Sequence, residues 1–152
     1  MRRTYDIEAA CWGEWTAHPD YLAPLHDAFA RGRLPSGGLC LIGGSATGPE
    51  AQFIQGWYPQ SIAVDLSMGM LSSAPRGSTV QGDMAQCPFR PHSIDVAVLL
   101  NAPLFPEALS DSLTPDGVLA GVELRGDKPC VPVVACGHRS VIHNQDGSVP
   151  LR

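Results

Sequence analysis

Three short apolar segments of this chain each end in glycine or in an acidic residue, and they follow one another at similar intervals. Leu39–Ile42 runs into the turn Gly43–Gly48, Ser61–Val64 runs into Asp65, and Thr79–Gln81 runs into Gly82 and Asp83. The continuous apolar run Leu39–Ile42 predicts a central parallel strand buried on both faces of a sheet, and the other two segments predict a second strand and a third, short one. The segments between them predict short helices, because Pro49 suits a first helical turn and Ser67 suits an N-cap. This alternation predicts a parallel sheet with right-handed helical crossovers and leaves few other topologies.

The rest of the chain extends the same pattern. Ile94–Leu100 predicts the strongest strand, and Val118–Leu124 predicts a fifth strand after a turn at Pro115–Gly117. Further helices are predicted over Asp20–Arg31 and Pro106–Leu113. Residues 1–18 are expected to be irregular, and residues 126–152 to form a small hairpin around the turn signal Asn144–Gly147. We therefore predict an α/β fold, a doubly wound and mainly parallel Rossmann-like sheet flanked by helices, with a short C-terminal hairpin.

A chain of 152 residues is long enough for one domain with a full core and too short for two. We expect a single domain over 1–152, made of an N-terminal cap and helix (1–36), a ligand-binding core (37–124) and a short tail (125–152).

Composition excludes several classes of function. The net charge is −5 and no cluster of lysine and arginine occurs, so no nucleic-acid partner is expected. No apolar stretch reaches the length that a membrane helix needs, and no apolar run follows the N-terminal arginines, so neither a membrane span nor a signal peptide is expected. Five cysteines, odd in number and without a CxxC pair, predict free thiols in a reducing, cytoplasmic compartment.

Three successive strand ends carry groups that suit an adenosine-containing ligand. The glycine turn lets backbone approach a ligand closely, and an acid at the end of the second strand can accept hydrogen bonds from both ribose hydroxyls. Asp83 can accept from an adenine amino group, while the Met84 amide can serve a ring nitrogen. Each feature has a plainer reading: a tight turn without a ligand, a carboxylate at a helix N-terminus for Asp65, and a loop carboxylate for Asp83. The coincidence of all three favours a ligand site.

Three stretches resemble motifs of the class I S-adenosylmethionine (SAM)-dependent methyltransferases, in their small-molecule branch. Val64–Leu71 resembles the family's V-D-x-S-x-x-M-L. Gly82–Asp95 resembles its G-D-A-x-x-L-P-F-x-x-x-S-F-D. Leu113–Leu119 resembles its L-x-P-G-G-x-L turn into the fifth strand. The likeness covers about residues 37–124, and the glycine turn is its weakest part.

The resemblance implies SAM as cofactor and methyl transfer to a small-molecule acceptor. It implies these cofactor-binding residues: Gly44, Ser45, Ala46, Gly48, Asp65, Leu66, Asp83, Met84, Leu100 and Asn101. The glycine turn would line the methionine part, Asp65 would hold the ribose, Asp83 with Met84 would hold the adenine, and Leu100 with Asn101 would lie near the reactive methyl. Such enzymes need no dedicated base, because alignment of the acceptor with the methyl carbon is their main task, so no catalytic residue is assigned.

Three features depart from the family pattern. Ile42 stands where the family has the acid that helps to anchor the methionine ammonium, and Ala46 stands where it has its middle glycine. The chain after the fifth strand is short, which predicts an acceptor pocket completed by a homodimer or by a partner. These departures also motivate an alternative, a methyltransferase-like fold without methyl transfer that serves as a partner subunit or a repurposed biosynthetic protein. A nicotinamide-dinucleotide protein is a further alternative, since the glycine turn and Asp65 imitate that fingerprint.

Four smaller signals have readings of lesser weight. Asn101–Leu104 stands where amino-directed methyltransferases carry N-P-P-F/Y, but it is more simply a strand-to-helix loop. The tail residues Cys130, Cys136, His138 and His143 fit no standard zinc spacing, so no metal site is expected. The aromatic residues Tyr5, Trp12 and Trp15 are expected to anchor the N-terminal segment, with a lid as the other reading. Asp95 is, by resemblance, a structural acid near the carboxyl ends of the strands.

Overall fold

The computed structural model describes residues 2–17, 21–30, 34–74, 77–100, 102, 105–122, 124–125, 128–129, 133–136, 139–144 and 147–150. Its helices are α1 (Arg2–Thr16), α2 (Ala23–Ala30), α3 (Pro49–Gln55), α4 (Met68–Ser73) and α5 (Pro106–Ser110), with a 3₁₀ turn at Met84–Gln86. Its first five strands are β1 (Cys40–Gly43), β2 (Ser61–Asp65), β3 (Ser78–Gln81), β4 (Ile94–Leu100) and β5 (Leu113–Val122). The tail holds β6 (Leu124–Arg125), β7 (Lys128–Pro129), β8 (Val133–Cys136), β9 (Arg139–Asn144) and β10 (Gly147–Pro150).

Five parallel strands form one side of the sheet, from β5 to β3 at its edge. The strand order is β10-β9-β8-β5-β4-β1-β2-β3, and β1 pairs in parallel with both β2 and β4. The order reverses direction at β1, where the crossovers lead to β2 on one side and, later, to β4 on the other. In open α/β sheets, ligands bind at such a reversal, beyond the carboxyl ends of the strands. The predicted doubly wound α/β fold is confirmed.

Core side chains cover both faces of this sheet. Cys40 and Ile42 point into a cluster with residues of α2 and α3, whereas Leu41 points into a second cluster with residues of α5 and the 3₁₀ turn. Alternation of side chains along each strand produces the two layers. β1, which a continuous apolar run predicts, is therefore a central strand, whereas β3 is an exposed edge strand. β4 has the bounds that the sequence predicts.

The prediction of an irregular N-terminal segment is wrong, because Arg2–Thr16 forms α1. No proline interrupts this segment, and α1 packs against α4. Asp6 lies against α4, where a Cβ added to Gly69 would be 3.2 Å from Asp6 Cα. The missing side chain at Gly69 lets the two helices approach closely, so tertiary contact supports α1. No helix among the described residues is both long and apolar enough to cross a bilayer.

The turn predicted at Pro115–Gly117 is a bulge inside β5. The register passes from the pair Ile94–Leu113 directly to the pair Val96–Val118, so the residues 114–117 face the single residue Asp95. A chain that keeps pairing on both sides of an insertion bends without leaving the sheet.

Asp95 is a structural acid, but it lies at the amino end of β4 and not near the carboxyl ends of the strands. Its Oδ2 accepts a hydrogen bond from the Leu39 amide at 2.8 Å, and its backbone amide donates to the Leu39 carbonyl at 3.0 Å. The carboxylate thus fixes the entry into β1 against β4.

The tail contains more strand than the single hairpin predicted. β8, β9 and β10 form an antiparallel extension beside β5, and β6 pairs separately with β7. Asn144 ends β9 and Gly147 begins β10, while Gln145 and Asp146 lie outside the described residues.

Candidate functional site

Asp65 joins the glycine turn to the start of α4. It ends β2 and is only 8% exposed. Its Oδ2 accepts a hydrogen bond from the Ala46 amide, and its Oδ1 accepts one from the Ser67 amide, each at 2.8 Å. A carboxylate has about four lone-pair sites, so each oxygen keeps the capacity to accept one more donor.

The backbone of the glycine turn requires unusual dihedral angles. Gly44, Ala46 and Gly48 have φ values of 65°, 44° and 84°, which lie in the left-handed region. A Cβ added to Gly44 would lie 2.5 Å from the Cβ of Ala102, so no side chain fits there. Ala46 adopts the same region despite its methyl group, and the residue is 5% exposed. Its methyl is therefore packed inside the protein and does not cover the turn.

Neighbouring strands bring further predicted residues to the same edge. A Cβ added to Gly43, the last residue of β1, would lie 3.3 Å from Met84 Cε and 3.2 Å from Leu99 Cγ. Met84 is 7% exposed, so its side chain belongs to the core beneath the turn. Asp83 is exposed and caps the 3₁₀ turn, with its Oδ1 accepting from the Ala85 amide at 2.9 Å. Its second oxygen faces no partner among the hydrogen bonds of the described residues.

The remaining predicted residues are described only in part. Ser45 is fully buried, and its amide donates to the Val64 carbonyl at 3.1 Å. Leu66 is half-buried, and its carbonyl accepts from Gln81 Nε2 at 3.1 Å. Leu100 ends β4 at the same edge of the sheet, while its side chain and the whole of Asn101 lie outside the described residues.

Asp6, which the sequence did not single out, ties α1 to this edge. Its Oδ1 accepts from Ser67 Oγ at 2.5 Å and from the Gly69 amide at 3.2 Å. The hydrogen bond from Ser67, followed by that from Gly69, holds the pKa of the Asp6 carboxyl below its usual value. Ser67 in turn caps α4 by accepting from the Met70 amide, so one chain of contacts runs from α1 through α4 to Asp65. The sequence gives no sign of this contact, because it predicts irregular structure over residues 1–18.

Glu50 is the second residue that the sequence did not single out. It lies in the first turn of α3 and is only 1% exposed, and its Oε2 has no hydrogen-bond partner among the described residues. Burial, together with the nearby negative charge of Asp65, raises the pKa of Glu50 to about 8. Ser45 Oγ is also buried without a partner there. One unsatisfied polar atom thus lies within the turn and another lies just beyond its end, and such atoms in a native protein call for an explanation.

A cavity of about 630 Å³ lies beside this segment. Small side chains of α1, at Ala9, Gly13 and Thr16, form one wall, and Thr47 and Pro49 form part of the other. The cavity therefore borders the two residues that flank the last glycine of the turn. No group of three or more metal-ligating side chains occurs within the described ranges, and Cys130 and His138 of the tail lie outside them.

The comparisons with known proteins agree on the fold. No protein-family model and no curated protein sequence matches the chain. One solved structure that matches is the complex of the Haloferax volcanii Trm112 methyltransferase activator with a candidate methyltransferase (19% identity, TM-score 0.67, 78% of this chain and 59% of that chain). Another is a candidate SAM-dependent methyltransferase from Methanococcus maripaludis (19% identity, TM-score 0.64, 81% of this chain and 65% of that chain). The fold is that of class I SAM-dependent methyltransferases.

A further structure of this fold is the complex of DhpI with SAM and HEP (20% identity, TM-score 0.64, 97% of this chain and 77% of that chain). The chain spans less than two thirds of the length of the Haloferax volcanii and Methanococcus maripaludis chains that it matches. The shared fold places the glycine turn and Asp65 at the edge of the sheet where ligands of open α/β folds bind.

Proposed function

We propose that this protein binds SAM and transfers its methyl group to a small-molecule acceptor. The observation that carries the proposal is the convergence of the left-handed glycine turn and the buried Asp65 carboxylate at the reversal point of the sheet. The fold is shared with a complex that holds SAM. Backbone groups of the glycine turn can therefore contact a ligand closely, and the Asp65 carboxylate can accept hydrogen bonds from its hydroxyl groups.

The residues present suit the adenosine part of SAM. Asp65 retains one acceptor position on each oxygen, which matches the two hydroxyls of a ribose. Asp83 is exposed beside the next strand and would accept from the adenine amino group, with Met84 and Leu66 bordering the ring and ribose. The turn residues Gly44, Ser45, Ala46 and Gly48 would hold the methionine part, and Leu100 with Asn101 would border the methyl group.

When bound, SAM supplies a methyl group activated by the positive charge on sulfur. The work left to the chain is to bind the cofactor, to orient the acceptor in line with the methyl carbon and to exclude water. Orientation of this kind lowers a barrier by roughly 7–11 kcal/mol when the reacting atoms are well aligned. No proton transfer by a side chain is required for an acceptor that is already nucleophilic.

Calorimetric titration with SAM and S-adenosylhomocysteine (SAH) tests the binding step. We expect both ligands to bind, and the absence of heat at millimolar concentrations of either one would reject the proposal. Incubation with labelled SAM and a broad acceptor panel then tests transfer. Binding without any methylated product would favour the alternative of a methyltransferase-like fold without transfer.

We further propose that this protein is cytoplasmic. We also propose that a second copy of the chain or a partner completes its acceptor pocket. The activator complex among the structural neighbours supports completion of the pocket by a partner. Light scattering of the purified protein, with and without SAH, measures its mass. A monomer under both conditions that still methylates an acceptor would contradict the proposal.

A further inference from the structure

We infer that Glu50 binds the ammonium group of the cofactor's methionine part, in place of the acid that β1 lacks. The inference rests on the proposed function, because it assigns a residue to one end of the same ligand. Ile42 occupies the position in β1 at which the resembled family has its acid. It is 1% exposed in an apolar cluster, so no carboxylate can act from there.

Glu50 is placed to take over this task. It follows Gly48 by two residues and lies in the first turn of the helix that the glycine turn leads into. After burial, the negative charge of Asp65 contributes to the raised pKa of Glu50. Glu50 and Asp65 therefore flank the turn from its two sides, one beyond its end and one beneath Ala46.

The carboxyl of Glu50 lacks a partner that its burial demands. Its Oε2 has no hydrogen-bond partner within the described part of the chain, and Ser45 Oγ has none there either. A buried carboxyl group stays protonated unless a cation or several donors stabilise its charged form. An ammonium group brings three donors and a positive charge, which fits one carboxylate and one hydroxyl.

The cavity beneath α1 borders the residues on either side of Gly48. Thr47 and Pro49 line that cavity, and they lie immediately beside Gly48 and Glu50 in the chain. The lining contributed by α1 consists of small or uncharged residues, including Ala9 and Gly13, and supplies no competing cation. The α1 wall of the cavity therefore presents no positive charge that would repel a cationic group.

Calorimetry with two ligands separates this role from adenosine binding. SAH carries the ammonium group, whereas 5′-methylthioadenosine shares the adenosine and lacks the amino-acid part. We expect Glu50→Gln to weaken SAH binding at least about tenfold, since a hydrogen bond to a charged group is lost. Binding of 5′-methylthioadenosine should change less than about twofold, because the Gln side chain keeps the size of Glu.

Asp116→Asn is the matched control. Asp116 is an exposed carboxylate in the β5 bulge at the opposite edge of the sheet, and its loss should leave both affinities unchanged. Equal effects of Glu50→Gln on the two ligands, or no effect on either, would overturn the inference while the proposed function stands. Failure of the unaltered protein to bind either ligand would instead reject the proposed function. If Glu50→Gln does not fold, equal affinity of the unaltered protein for both ligands overturns the inference.

Discussion

The burial of Glu50 predicts that stability falls as pH rises through neutrality. The pKa of Glu50 is about 8 in the folded protein, against an ordinary value of 4.5 that applies in the unfolded chain. Between these values the folded protein keeps a proton that the unfolded chain releases. The unfolded state therefore binds fewer protons, and the free energy of unfolding decreases with rising pH. The favourable contribution is complete below 4.5 and is lost by the time the pH passes 8.

The magnitude follows from the separation of the two pKa values. One pH unit in this window corresponds to about 1.4 kcal/mol, so the loss between pH 5 and pH 7 is about 3 kcal/mol. Such a loss is a large part of the stability of an ordinary domain. The side chain is 1% exposed, so solvent screens this effect only weakly.

Glu50→Gln removes the effect, since glutamine does not titrate. We expect urea unfolding, followed by circular dichroism at pH 5, 6, 7 and 8, to give a stability difference that grows in favour of the variant as pH rises. Other titrating groups contribute equally to both proteins and cancel in this difference. Asp116→Asn, at an exposed carboxylate, should show a flat difference over the same range. A flat difference for Glu50→Gln would refute the reasoning.

Three further substitutions test the geometry of the site. Asp65→Asn should lower the free energy of unfolding in urea by about 2–3 kcal/mol, because an amide group cannot accept both backbone N–H bonds. It should also abolish SAH binding. A loss of unfolding free energy below about 0.5 kcal/mol would contradict this. Gly44→Ala should cost roughly 2–4 kcal/mol through its left-handed φ and the overlap with Ala102, and unchanged thermal unfolding would contradict that overlap. Asp6→Ala should speed hydrogen exchange in residues 2–16 while the core strands keep their protection, whereas uniform exchange rates would show that Asp6 does not hold α1.

The sequence predicts well those parts of the fold in which burial determines the residue pattern within a single segment. β1, β2 and β4 are apolar runs because both faces of the sheet are covered. Ser67 at the N-cap of α4 is confirmed by its hydrogen bond to the Met70 amide, since the donor lies three residues away.

The parts that it misses depend on contacts between distant segments. Asp6 and Ser67 are 61 residues apart, so no pattern within residues 1–18 reveals that α1 will be held against α4. The β5 bulge looks like an ordinary turn because its composition is that of a turn, and only pairing with β4 on both sides keeps it in the sheet. Glu50 resembles a favourable acid in a first helical turn, and its burial depends on what packs above it.

The left-handed conformation of Ala46 has a consequence for how readily the turn orders. A glycine at this position would leave the free loop many conformations, and a ligand would have to suppress them on binding. The methyl group of Ala46 removes many of these conformations before any ligand arrives, while Asp65 supplies the hydrogen bond that holds the strained angle. The Asp65 hydrogen bond thus fixes the turn during folding, so a ligand that binds there would have less backbone to order.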